Sequence, residues 1–145
     1  MVFHHLLAPT DGSANSVQAA QLAFRIAHLC GASLTLVYVV DTAVLGELVR
    51  FAADQRAEMR GELYEKGRKT LDHLESLARR SNLMVRCEIC EGEPFEEIVA
   101  LASRLGTDLI VMGHVGQRGP RRILIGSVTE RVIEFAHCPV LVVKR

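Results

Sequence analysis

The run Gly113-His-Val-Gly-Gln-Arg-Gly-Pro-Arg-Arg-Ile-Leu-Ile-Gly-Ser127 stands between two stretches of different periodicity. Before it, Asp108-Leu-Ile-Val-Met112 is a continuous apolar run, as in a strand buried on both faces. After it, Ser127-Val-Thr-Glu-Arg-Val-Ile-Glu-Phe-Ala136 carries its apolar residues at helical spacing. Strand, glycine-punctuated loop and helix N-terminus in that order make a physical receptor for an anion. Glycine lets the backbone approach a ligand and take φ > 0. The unpaired N–H groups of the helix's first turn then point at it. Between Leu109 and Thr129 stand Arg118, Arg121 and Arg122 and no carboxylate, in a chain whose formal net charge is zero. The three arginines are either solvated loop charges or charge compensation for phosphate, which the local positive potential favours over a neutral ligand.

The same alternation extends over the whole chain. Apolar strand-like runs at residues 4–9, 33–40, 83–90, 107–112 and 139–143 alternate with helical patterns at 13–30, 47–80, 94–105 and 127–137. Gly31 is placed to end the first helix, and Pro94 suits the first position of another, with Glu96 and Glu97 in its opening turn. Gly61 and Gly67 weaken the middle of the 47–80 pattern, so a break or a mobile first half is expected there. Five strands separated by helices read as an α/β parallel sheet wound on both faces. Ligands of such sheets settle beyond the carboxyl ends of the strands, where the strand order reverses.

Composition excludes several function classes. At 145 residues the chain suits one domain spanning residues 1–145, and 49% apolar residues supply its core. Seventeen basic against seventeen acidic residues argue against a nucleic-acid or anionic-membrane partner. No apolar run approaches the ~20 residues of a membrane span. Met-Val-Phe-His-His at the start is no secretory signal, so a cytoplasmic location is expected. Cys87-Glu-Ile-Cys90 is formally C-x-x-C, but it lies in a run with the period of a strand. Residues three apart on a strand are about 10 Å apart and face opposite ways. That is too far for a disulfide, whose Cα atoms lie within ~7 Å, and it prevents shared metal ligation. No metal site is expected, and the histidines outside the loop fit no ligand spacing.

The loop is neither of the two commonest nucleotide motifs. It lacks the G-K-[S/T] of a Walker A loop and the G-x-G-x-x-G of a dinucleotide fold. Gly113, two residues, Gly116, nine residues and Gly126-Ser127 instead resemble the signature of the ATP-binding branch of the universal stress protein family. Leu6-Leu-Ala-Pro-Thr-Asp-Gly-Ser13 is similar to that family's first strand and turn. Gly126-Ser-Val-Thr-Glu130 through Cys138-Pro-Val-Leu-Val-Val-Lys144 is similar to its last helix and strand. The likeness covers the whole chain.

The resemblance implies a Rossmann-like, adenine nucleotide alpha hydrolase-like fold with strand order 3-2-1-4-5. The reversal then falls between the strands followed by Thr10-Asp11-Gly12 and by the Gly113 loop. It implies ATP as ligand, with Mg²⁺ or Mn²⁺ on its phosphates. The implied binding residues are Pro9, Thr10, Asp11, Val39, Met112, Gly113, Gly116, Arg118, Gly126, Ser127, Val128 and Thr129. Asp11 either makes an Asx-turn or accepts from ribose hydroxyls or the adenine amino group. Val39 would read adenine through its main chain, and Asp41 reads as a turn residue. Ser127 heads an S-x-x-E capping box or contacts phosphate, and both roles can coexist. Thr129 is a solvated helix residue or a second hydroxyl donor. His114 and Val115 depart from the family's pattern, where a small hydroxyl residue follows the first glycine and a histidine precedes the second.

Val140, Val142 and Val143, with Leu141, form an apolar edge strand, and the resemblance also implies a homodimer paired there. The expected function is a cytoplasmic ATP-binding stress-response module. The rivals are an adaptor dimer that binds no nucleotide, which the glycine set opposes, and a slow ATPase or phosphotransferase, for which no base and metal carboxylate stand out.

Overall fold

The computed structural model describes residues 2–115 and 125–144. Five strands, β1 (His5–Pro9), β2 (Ser33–Asp41), β3 (Arg86–Gly92), β4 (Leu109–Gly113) and β5 (Val140–Val143), form one sheet in the order β3-β2-β1-β4-β5. Every neighbouring pair is parallel. The expected strand order is therefore the observed one.

Side chains alternate across the strands and split the core in two. On one face Leu6, Ala8, Leu34, Leu36, Leu109 and Val111 pack with α1 (Ala14–Cys30) and α3 (Ala53–Arg80). On the other, Leu7, Val37, Ile110 and Met112 pack with α4 (Pro94–Leu105) and α5 (Ser127–Phe135). Burial on both faces is why these strands read as apolar runs.

The cysteine reading holds on the same argument. Cys87 packs on the α1/α3 face and Cys90 on the α4/α5 face, and both are free thiols. Burial first, then the carboxylates of Glu75 and Asp72, pushes the Cys87 thiol up to about 11, so it is inert at neutral pH.

Helix ends follow local chemistry. Ser13 caps α1, its side chain accepting from the Ser16 N–H. Gly31 and Gly106 end α1 and α4 in the left-handed conformation, at φ 64 and φ 66. Pro94 opens α4 as expected, with Glu96 and Glu97 in its first turn.

The 47–80 pattern resolves differently. A short α2 (Thr42–Gly46) follows β2 directly, a 3₁₀ turn spans Glu47–Arg50, and α3 begins at Ala53. The break lies at Phe51 and Ala52, where Ala52 is extended at ψ 154 and its N–H donates to Gln55 Oε1 (3.3 Å). Gly61 and Gly67 both lie inside the continuous α3. β3 also starts at Arg86 and not in the region of Leu83, because Asn82, at φ 58, still belongs to the turn leaving α3.

Candidate functional site

The two loops singled out by sequence meet at the carboxyl ends of β1 and β4. Thr10 carries the β1 ladder one residue further, its N–H donating to the Val37 carbonyl at 2.8 Å. The buried Thr10 hydroxyl lies 2.9 Å from Ser16 Oγ, and the Ser16 hydroxyl donates to the Ser13 carbonyl at 2.9 Å. Thr10 is therefore the donor of that pair, and it accepts in turn from the Gly12 N–H at 3.2 Å. The Asp11 carboxylate accepts from the Ser13 N–H at 2.9 Å, which is the Asx-turn. This network fixes the turn that presents Asp11 to the cleft.

Across from it, Gly113 ends β4 in close contact with α1. Asn15 Oδ1 accepts from the Val115 N–H (3.2 Å) and from His114 Nδ1 (3.1 Å). The Asn15 amide donates to the Val143 carbonyl at 3.0 Å. Asn15, 3% exposed, thus joins α1, the start of the glycine loop and the end of β5. His114, the departure from the family pattern, turns its ring to Asn15, while Val115 lines the cleft.

At the far side of the loop the capping role of Ser127 is overturned. Gly126 is the N-cap, at φ −69 and ψ 159, and its carbonyl accepts from the Glu130 N–H at 3.0 Å. Ser127 is already the first helical residue, and the Glu130 N–H that a capping serine would bond is taken by the Gly126 carbonyl. No side chain caps α5 among the described residues. Among the described residues nothing outside the helix accepts from its first N–H groups, the groups that a helix leaves without internal partners. Thr129 is not solvated: it is 4% exposed and donates to the Gly113 carbonyl at 2.8 Å, tying α5 to β4.

These groups surround one cavity of about 590 Å³, within the range of small-molecule sites. Of the residues singled out from sequence, Pro9, Thr10, Asp11, Val39, Met112, Gly113, Gly126, Ser127, Val128 and Thr129 line it. Gly116 and Arg118, with Arg121 and Arg122, lie outside the described residues. Val37, Val40, Val44, Leu63, Pro94 and Ile98 make an apolar slot at the β2 side. Asp41 lines it too, while capping α2 through the Ala43 N–H at 2.8 Å, which is the turn role read from sequence.

Sequence reasoning missed Ser16, Tyr38, Leu63 and Lys66, which also line the cavity. Burial, then the negative charge of Asp11, raises the Tyr38 phenol above its ordinary value, so it stays a neutral donor. Leu63 and Lys66 come from α3, whose approach depends on packing that no local pattern announces. Among the described residues no group of His, Cys, Asp and Glu could hold a metal ion. No described helix is long and apolar enough to cross a membrane.

Comparison with known proteins agrees with this geometry. The universal stress protein MJ0531 of Methanocaldococcus jannaschii is 41% identical over 145 residues, spanning 99% of this chain and 84% of that protein. The solved structure of MJ0577 from the same organism superposes with a TM-score of 0.87 at 30% identity, over 100% of this chain and 98% of the other. A universal stress protein from Archaeoglobus fulgidus, solved in complex with dAMP, shares the fold with a TM-score of 0.71 at 21% identity, over 98% of both chains. The model of the universal stress protein family matches residues 3–144, and the chain belongs to that family.

Proposed function

We propose that the cleft binds ATP and that the chain works as a cytoplasmic homodimer whose nucleotide state carries a stress-response signal. The observation that carries the reading is the uncapped N-terminus of α5 opening onto the cavity beside Gly113 and Gly126. That end of the cavity suits phosphate, through first-turn N–H groups that no described residue outside the helix occupies and the positive end of the helix dipole. The opposite end is apolar and suits a planar base. Asp11 and Asp41 supply acceptors for a base amino group or ribose hydroxyls. The dAMP complex of the Archaeoglobus fulgidus relative supports an adenine nucleotide as the ligand class.

When bound, ATP brings Mg²⁺ or Mn²⁺ on its own phosphates. Gly113, Gly126, Ser127 and Val128 would hold the phosphate chain, with Gly116 and Arg118 from the loop between. Asp11 and the main chain of Val39 would hold the nucleoside, with Pro9, Thr10 and Met112 beneath. Thr129 serves by position, since its hydroxyl proton is committed to Gly113.

The reading of β5 as the pairing strand rests on its place at the sheet edge, with β4 as its one neighbouring strand among the described residues and Leu141 36% exposed. Titration calorimetry with ATP, AMP and GTP, and sedimentation of the same sample, test the two parts. The expected result is ATP binding near the micromolar range, roughly 8 kcal/mol, weaker GTP binding, and a dimer. Equal affinity for ATP and GTP would sink the adenine assignment. A clean monomer at micromolar concentration would sink the pairing.

A further inference from the structure

We propose that Lys66 is a ligand contact whose ammonium meets the nucleotide's phosphate chain from the α3 side of the cleft. The proposal rests on the nucleotide reading above and adds to it a residue that determines ligand charge. Three observations place it.

Lys66 lines the cavity, and among the described lining residues it is the one basic side chain, facing a site that also carries Asp11 and Asp41. A polyanion entering beside two carboxylates gains from a fixed positive partner. The α5 N-terminus supplies about half a charge of that kind.

The second observation is how α3 reaches the cleft. A Cβ on Gly67 would stand 2.6 Å from Tyr38 Cδ1 and 2.8 Å from Ile89 Cδ1. The bare backbone therefore lets α3 seat directly on β2 and β3, and this brings Leu63 and Lys66, three residues apart on one helix face, to the cavity wall.

The third is that the helix is anchored one turn earlier. Glu91, in the edge strand β3, accepts from the Tyr64 hydroxyl at 2.6 Å and from the Arg60 guanidinium. Arg60 also lies over the Tyr64 ring, 5.2 Å from its centroid. The backbone at Lys66 is thus held by packing and pairing at its neighbours, and its exposed side chain reaches the cavity wall. Because α3 covers the α1 face of the sheet and α5 the other, Lys66 and the α5 N-terminus address the cleft from opposite sides.

The test is calorimetric titration of the full chain with ATP and with adenosine, for wild type, Lys66→Gln and Lys66→Arg. Lys66→Gln should weaken ATP about tenfold, the scale of one charge-assisted hydrogen bond, and leave adenosine within about twofold. Lys66→Arg should hold ATP close to wild type, since it keeps the charge. The fall of ATP affinity with added salt should also be shallower for Lys66→Gln than for wild type. An unchanged ATP affinity in Lys66→Gln, or equal losses for ATP and adenosine, overturns the proposal while leaving the nucleotide reading intact. A wild type that binds neither ligand overturns the nucleotide reading itself, and the two failures are told apart by which protein shows them.

Discussion

Asn15 and Gly113 compete for one small volume: a Cβ on Gly113 would collide with Asn15 Oδ1 and stand 2.8 Å from its Cγ. Gly113 does not adopt a positive φ, so glycine is required there for space and not for backbone freedom. The vacated volume lets one carboxamide hold the Val115 N–H and the Val143 carbonyl together. Gly113→Ala should displace Asn15 and cost about 2–4 kcal/mol from overpacking and broken buried hydrogen bonds. Urea unfolding measures it. The double variant with Asn15→Ala should lose clearly less than the two single losses added. Strict additivity would show that the two residues are not coupled.

The two glycines inside α3 should behave oppositely. A Cβ at Gly61 meets nothing within 4 Å, so Gly61→Ala should stabilise by up to about 1 kcal/mol through helix propensity. At Gly67 the Cβ meets Tyr38 and Ile89, and Gly67→Ala should cost about 1–3 kcal/mol. Thermal unfolding of both variants checks the contrast. A stabilising Gly67→Ala would mean that α3 does not seat on Tyr38.

Serine truncations separate capping from binding. Ser13 caps α1 through the Ser16 N–H, so Ser13→Ala should cost about 1 kcal/mol. Ser127 stands in the first helical turn of α5, which no side chain caps among the described residues. Ser127→Ala should change stability by less than about 0.5 kcal/mol. Any loss of nucleotide affinity in that variant then reports the hydroxyl and not a frayed helix. A large drop in ligand-free melting temperature would contradict this placement of the helix start.

The alternation of strands and helices, the placement of Gly113 and Gly126 at the cleft and the opposition of Cys87 and Cys90 were legible because each is written in local periodicity or local turn chemistry. The strand order was not: it came with the family resemblance. The glycines at 61 and 67 suggested a broken helix because propensity counts them alike, whereas tertiary contact with Tyr38 uses only Gly67. Ser127-x-x-Glu130 matched a capping box, yet the helix begins one residue earlier, so that Gly126 takes the cap position. Thr129 read as solvated or ligand-facing until β4 supplied the Gly113 carbonyl. Asn15 and Lys66 carried no signal of their own, since both acquire their roles from segments far along the chain.

Acid should weaken the amino end of the sheet. Burial works to raise the Asp108 carboxyl, but the N–H groups of His4 and His5, with help from their imidazoles, outweigh it and hold the group below its ordinary value. Those N–H groups donate at 2.8 and 3.0 Å. A depressed carboxyl contributes stability that is present above its unfolded value and lost as pH falls through the lower, folded one. The stability gap between wild type and Asp108→Asn should therefore be full at pH 7 and shrink below about pH 4. Urea midpoints at both pH values measure it. A gap that does not change with pH would remove Asp108 from the account.

In the proposed complex a nucleotide's phosphates sit on the N-terminus of α5 while its base fills the slot beside β2. Backbone amide NMR of the full chain during titration with ATP and Mg²⁺ tests it most directly. The largest shifts are expected at Ser127 and Val128, with a second group at Asp11 and Val39, saturating together. Absence of any saturating shift, or shifts confined to residues away from the carboxyl ends of β1, β2 and β4, would contradict it.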